Sequence, residues 1–399
     1  MRILQISNKA PYPPNDGSSI AVYNMANGFI QNNVDFHLIT INTKKHFKSD
    51  ALVPDDFKKK SQYTSVYKNT GIKPIGAILN LFTNESYFVS RFVFKEFENE
   101  LISCLNKHEF DIVQIEGIFM APYIPIIRKH SKAKITIRTH NAEHVIWDRL
   151  IQNEGNGLKK QYLQLQNKRL KKTEIELLGI ADAIIPITPT DKTIFEELEI
   201  KSNYFISPTG IDIDRYQIDY SKEKPTTFFH LGSMDWMPNV EGVDWFLKEV
   251  YLPYFQNNEA ITFNFAGRFM PKRFFEQSSK NLQFIGSVED NISFYNQHDV
   301  MLVPLQSGSG MRIKIIEGMA MGKAIISTSI GAEGIPVTHL ENIIIADNPK
   351  EFADAITELS KNDELKQKIK KNARSFIQNQ FDNKYLVSQL LNFYKDLTR

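Results

Sequence analysis

A single cysteine, Cys104, in 399 residues rules out an intrachain disulfide and any cluster of thiolate ligands. That scarcity fits a reducing cytoplasm. No stretch approaches about 18 consecutive apolar residues, so the sequence offers no membrane-spanning helix. The opening "MRILQISNK" has too short an apolar run for a secretory leader and no small-residue cleavage site behind it, so it reads as a strand. An excess of one charge is missing too: 48 Lys and Arg stand against 46 Asp and Glu, and a net +2 gives no reason to expect a nucleic-acid partner. The basic runs "NTKKHFK" and "NKRLKKTE" read as solvated faces. No G-x-G-x-x-G follows the first strand, where "SNKAPYPPNDGSSIAVYN" stands, which argues against a dinucleotide-dependent dehydrogenase or epimerase.

What is present is a long alternation of strand-like and helical patterns. "RILQIS", "DFHLITIN", "DIVQIEG", "KITIRTHN", "ADAIIPIT" and "NYFISPTG" precede residue 211. "TTFFHLGS", "ITFNFAG", "LQFIGSV", "DVMLVPL", "KAIISTS" and "NIIIADN" follow it. Short Val/Ile/Leu-rich runs separated by helices are the mark of parallel sheets covered on both faces. The polar "IDIDRYQIDYSKEKP" between the two series has the composition of a linker. The expected organisation is an α/β chain of two doubly wound domains, 1–210 and 226–382, joined by a linker at 211–225. Residues 383–399, "NKYLVSQLLNFYKDLTR", form an amphipathic helix with Leu386, Leu390, Leu391 and Tyr394 buried.

In such sheets ligands sit beyond the carboxyl ends of the strands. "DVMLVPLQSGSGMRIKIIEGMAMGKAIISTS" satisfies that placement as strand, glycine turn, helix, strand. The backbone N–H groups of Gly310, Met311 and Arg312 would open a helix and suit phosphate. Arg312 and Lys314 add two cations, and Glu317, three residues beyond Lys314, shares its face, where a carboxylate suits a ribose diol. The same spacing also describes an ordinary surface Lys/Glu pair.

Rival motifs fit their contexts less well. "GMAMGK" lacks the spacing and the final Ser/Thr of a phosphate-binding P-loop, and Gly322 reads as a helix C-cap. "DID", Asp212 to Asp214, lies in the linker and reads as turn or capping aspartates. "HNAEH", residues 140 to 144, matches the H-x-x-E-H of one metallopeptidase class, but His140 closes a strand, so no metal site is expected there.

With these residues on the page, "GSGMRIKIIEGMAMGK", "FFHLGSMDWMPNVEGVDWFLKEV" and "PYPPNDGSS" resemble the nucleotide-sugar-dependent retaining glycosyltransferases of family 4 over nearly the whole chain. The resemblance implies a GT-B fold, two Rossmann-like domains facing a cleft, with a last helix crossing back to the first domain. It implies a nucleoside-diphosphate sugar as donor substrate on the second domain, an acceptor on the first, and no other cofactor. Glu317 matches the glutamate that holds the donor ribose. The family's second glutamate, eight positions earlier, is Ser309 here, so sugar contacts fall to Ser309 and the backbone of Gly308 and Gly310. The first loop of the second domain, which includes Gly232, lacks the family's basic pair. Diphosphate binding then falls to Arg312 and Lys314, with Arg268 in "FAGRFMP" either a further contact or a surface ion pair.

On the first domain Gly17 resembles the family's glycine loop near the reaction centre, and His140 the histidine set against the donor sugar. Glu116, which ends "VQIEG", either serves the acceptor or pairs with Arg138. Thr209 departs from the family's usual Asn-Gly turn. The expected activity is a retaining, metal-independent hexosyl transfer to a glycan, lipid-linked or protein-linked acceptor in glycan assembly. The expected place is the cytoplasm, with residues 71–97 left open between an acceptor surface, a peripheral membrane contact and a buried place in the core. The competing expectation is a catalytically degenerate sugar-nucleotide-binding or scaffold protein.

Overall fold

Apolar runs that can be buried on both faces become central parallel strands, and the computed structural model shows two sheets made this way. It describes every residue except 15, 16, 45, 46, 48, 72, 73, 153 and 309, and of residues 74 and 75 the backbone alone. The chain divides into two units, Met1–Gly210 with Asn383–Arg399, and Ile211–Asp382.

The first unit holds β1 (Arg2–Ser7), β2 (Asp35–Thr43), β3 (Thr64–Lys68), β4 (Ile112–Glu116), β5 (Lys134–Thr139), β6 (Ala183–Pro186) and β7 (Asn203–Tyr204). Their order is β3-β2-β1-β4-β5-β6-β7, and every pairing is parallel. The second unit holds β8 (Thr227–Leu231), β9 (Thr262–Ala266), β10 (Leu282–Gly286), β11 (Val300–Val303), β12 (Ala324–Ser327) and β13 (Ile344–Ile345). Its order is β10-β9-β8-β11-β12-β13, again parallel throughout. In each unit the order reverses beside one central pair, β1 and β4 or β8 and β11. The loops leaving those strands are therefore the natural ligand positions.

The helix Asn383–Leu397 completes the first unit's core: Val387, Leu390, Leu391 and Tyr394 are buried with Ile3, Phe29 and Phe36. Each such side chain is worth about 1.5–3 kcal/mol relative to leaving it in water. Leu386, expected inside, is only half-buried. Val387 takes its place, because 387, 390 or 391, and 394 repeat at the helical period. Asn383 Nδ2 donates to Asn24 O at 2.6 Å, and Asn24 Nδ2 to Gly210 O at 2.7 Å.

Residues 211–225 are solvated only in part: Asp214, Arg215, Lys222 and Lys224 are exposed. Ile211, Ile213 and Tyr216 are buried in the second unit's core with Phe229, Met301 and Ile315. Ile211 N donates to Phe381 O at 2.9 Å, and "DID" leads into a short turn, Ile213–Arg215. One charge of the segment partners buried lysines: Glu223 pairs with Lys323 and, at 2.6 Å, with Lys370, whose other carboxylate is Asp299 at 2.5 Å. Among the described residues no helix is long and apolar enough to cross a membrane.

Candidate active site

On the second unit, β11 leads through the glycine turn to the helix Ile313–Ala320. The helix starts later than the sequence suggests. Gly310 has φ +80° and Arg312, the cap, is extended at φ −85° and ψ 94°, so the first helical turn begins at Ile313 rather than at Gly310 and Met311. Met311 sends its side chain into the core. The helix ends as expected, with Gly322 at φ +60° beyond the cap.

Lys314 lies along the end of β8. Its Nζ donates to Asn239 Oδ1 at 2.6 Å and stands 3.5 Å from His230 Nε2. His230 Nδ1 is 2.9 Å from Leu302 O, and because a carbonyl can only accept, Nδ1 carries the proton and Nε2 presents its lone pair to the ammonium. Burial, reinforced by the Lys314 charge, holds this imidazole well below its ordinary range, so it stays neutral. Asn239 is fixed at its other end, Nδ2 donating to Ser233 O at 2.7 Å. Gly232 is what admits the lysine: a Cβ there would lie 2.5 Å from Lys314 Nζ and 2.7 Å from Asn239 Nδ2.

Arg312 is 5% exposed and lays its guanidinium over Trp236, 5.3 Å from the ring centroid, while donating to Gly310 O. Gly308, at φ +107°, leaves the space into which Arg312 Nη2 and the Trp236 ring project. Glu317, one turn beyond Lys314, accepts from the Tyr216 hydroxyl at 2.8 Å. Burial raises its pKa against the opposing pull of Tyr216, Arg215 and Lys314. Arg268 joins through its backbone, its carbonyl accepting from Met234 N at 2.9 Å, with its guanidinium 5.8 Å from the Phe269 ring. Ser309 lies outside the described residues.

Burial, then the neighbouring Arg312, brings the Lys314 ammonium down to about 7, with Glu317 opposing. An anionic ligand beside it favours the charged form. Binding of a nucleoside diphosphate at pH 8 is therefore expected to take up a proton, and affinity to fall as pH rises above about 7. Titration calorimetry in buffers of different ionisation heats measures that uptake directly. Binding without proton uptake would separate Lys314 from the ligand.

The first unit carries a second polar group at the ends of β4 and β5. Glu116 Oε2 stands 2.6 Å from His140 Nε2 and 3.2 Å from Arg138 Nη1. Its Oε1 accepts from Gln5 Nε2 at 2.7 Å and Gln114 Nε2 at 2.5 Å. Arg138 Nη2 donates to Thr209 Oγ1 at 3.0 Å, which gives the departure at Thr209 a local role. Burial alone would raise the Glu116 pKa, but Arg138 and His140 outweigh it and hold the carboxyl at about 2. Of the two sequence alternatives the structure shows the pairing with Arg138, and Glu116 also orients His140. An ionised Glu116 takes the Nε2 proton of His140 as a hydrogen bond and leaves Nδ1 for other work.

The network reaches the last helix, where Tyr394 OH donates to Gln114 Oε1 at 2.6 Å and lies 3.1 Å from Thr136 Oγ1. Tyr394→Phe keeps the volume and strips the donor from a buried amide. The expected loss is about 1–3 kcal/mol of first-unit stability, read from urea unfolding. An unchanged midpoint would show that Gln114 finds another donor.

His144 belongs elsewhere: its Nδ1 is 2.5 Å from Glu174 Oε2, so the two histidines of "HNAEH" engage different carboxylates. Among the described residues no three His, Cys, Asp or Glu side chains gather as a metal cage. Gly17 opens the helix Gly17–Gln31, and a Cβ there would meet no atom of the protein within 4 Å, so packing does not demand glycine at that position. Its neighbours 15 and 16 lie outside the described residues.

Sequence reasoning missed Gln5, Gln114 and Tyr394 on the first unit, and Tyr216, His230, Trp236 and Asn239 on the second. A signal existed for three of them. Gln5, Gln114 and His230 interrupt otherwise apolar strands, where a buried polar group needs a partner.

Two doubly wound parallel sheets of this order, with a final helix returned to the first unit, make up the GT-B fold. Residues 225–362, most of the second unit, match the family described as glycosyl transferases group 1. Over its full length the chain is 24% identical to an uncharacterized 44.6 kDa protein in the cps region of Klebsiella pneumoniae, covering 98% of each. Among solved structures it resembles the sucrose-phosphate synthase of Thermosynechococcus elongatus, with a TM-score of 0.72 at 14% identity over 100% of this chain and 99% of that one. It also resembles Anabaena HepE in complex with UDP-glucose, with a TM-score of 0.68 at 12% identity over 99% and 100%.

Proposed function

We propose that this chain is a cytoplasmic, retaining glycosyltransferase that moves a hexosyl group from a nucleoside diphosphate to an acceptor hydroxyl on a glycan, lipid-linked or protein-linked sugar. The observation that carries the reading is the meeting of Lys314, Arg312 and the N-terminus of the helix Ile313–Ala320 at the end of β8, over the side-chain-free Gly232. These groups oppose the charge that accumulates on a departing diphosphate, and preorganised donors of this kind are most effective where charge develops. Glu317 receives the ribose, and the two cations stand where another enzyme would use a divalent metal. His140, held by Glu116, acts on the transferred sugar. The leaving phosphate takes the acceptor proton on the face it vacates, so the anomeric configuration is retained and no protein nucleophile is needed.

The Anabaena HepE complexes support trying UDP-sugars first, and the cps-region relative supports an acceptor in cell-surface polysaccharide assembly. The test is incubation of the full chain with a panel of nucleoside-diphosphate sugars, before and after exhaustive chelation. Slow release of nucleoside diphosphate with the sugar's anomeric configuration kept, at the same rate after chelation, is the expected result. Tight binding with no release from any donor would favour a sugar-nucleotide-binding protein, and loss of activity on chelation would remove the metal-free mechanism.

A further inference from the structure

The first unit exposes an apolar strip that none of its described residues covers. Asn80 is buried: its Oδ1 accepts from Gln166 Nε2 at 2.8 Å and its carbonyl from Arg169 Nη1 at 2.9 Å. The residues on either side of it face outward. Ile78 is 58% exposed, Leu79 63% and Phe82 87%, with Leu81 also exposed. The turn is well formed, Leu81 N donating to Ile78 O at 3.0 Å and Phe82 N to Leu79 O at 3.1 Å, so these side chains are presented as a ridge.

The helix Leu158–Gly179 runs beside this ridge, since Arg169 Nη2 also donates to Leu81 O at 3.2 Å. Leu158, Leu165, Lys168, Arg169 and Lys172 recur on it at the 3.6-residue period and so share one stripe. Leu158 is 85% exposed and Leu165 is exposed as well. The helix has six Lys or Arg and two acids, and one of those acids, Glu174, is buried against His144. The other, Glu176, lies 3.7 Å from Lys172. On the ridge itself, residues 76–90, Glu85 is the lone charge.

We propose that the first unit docks on an anionic phospholipid surface, with Ile78, Leu79, Leu81 and Phe82 entering the interface and Lys168, Arg169 and Lys172 contacting headgroup phosphates. Large apolar side chains standing free beside a row of cations match a bilayer boundary, where buried hydrocarbon and attraction to anionic lipid add. A second copy of the chain fits less well, because it would set one row of lysines near another. The inference stands on the first unit's surface alone and does not rest on the transfer reaction.

Co-sedimentation of the full chain with vesicles of phosphatidylglycerol and phosphatidylcholine, against phosphatidylcholine alone, tests it. Binding to the anionic vesicles is expected, weakened by 0.5 M salt, and Leu79→Ser with Phe82→Ser or Lys168→Glu with Lys172→Glu should each lower it at least about tenfold. Both pairs are surface changes, and an unchanged far-ultraviolet spectrum and nucleotide affinity confirm that each variant is folded. Absence of binding to anionic vesicles overturns the proposal, as does full binding by both variants. A dimer of the parent chain that Leu79→Ser with Phe82→Ser dissolves would make a second copy the occupant and overturn it equally.

Discussion

Lys314→Met is expected to lower sugar transfer about 100- to 1,000-fold, the loss of about 2.7–4 kcal/mol that removal of one preorganised donor to a developing charge brings. The larger share of the fall should lie in kcat, because the ammonium matters most when the diphosphate departs, with a smaller loss of nucleoside-diphosphate affinity beside it. Glu317→Ala should behave differently. In the proposed function its carboxylate holds a ribose that does not change during reaction, so its loss should raise KM for the donor with a smaller change in kcat. Steady-state kinetics on both variants distinguish the roles. An unchanged kcat in folded Lys314→Met would take that residue out of leaving-group stabilisation and leave Arg312, held by Trp236, as the principal cation.

Glu116→Ala should destabilise the first unit strongly. Arg138 is 1% exposed and would keep its charge without its carboxylate, a situation that costs about 3–5 kcal/mol where buried pairs have been broken on one side. The acid limb of the stability curve should change with it. A carboxyl held at about 2 in the folded chain and near its ordinary 4.5 in the unfolded one adds stability that is complete above 4.5 and lost as pH falls towards 2. Urea unfolding between pH 6 and pH 2.5 should show this component in the parent protein and lack it in Glu116→Ala. If the variant matches the parent in midpoint and pH dependence, Arg138 has another counter-charge and Glu116 does not organise the site.

Much of the architecture was legible because its strands are buried on both faces and therefore read as unbroken Val, Ile and Leu. β11, the glycine turn, the helix and β12 stand where "DVMLVPL" to "KAIISTS" placed them. β3, "TSVYK", escaped because it lies at the sheet edge and is half-buried, so burial imposes no apolar run on it. The segment 211–225 was misread for a related reason: charge usually signals solvent, and here Glu223 is charged because Lys323 and Lys370 are buried beneath it. At the candidate site the sequence marked Arg312, Lys314 and Glu317, which lie close together along the chain. Their supports, Asn239, His230 and Tyr216, come from another helix, a strand and a turn, and spacing along a chain carries no information about such neighbours.

The return of the helix Asn383–Leu397 to the first unit bears on the order in which the protein can be made. Ribosomes deliver the chain from its amino end, so Met1–Gly210 emerges well before the side chains that close its core. Phe29, Phe36 and Ile3 must wait through the synthesis of all of Ile211–Asp382 for Leu390 and Tyr394. The second unit, continuous in sequence, has no such delay. The nascent first unit is thus the natural client for chaperones, and the second unit is the one able to complete its packing first.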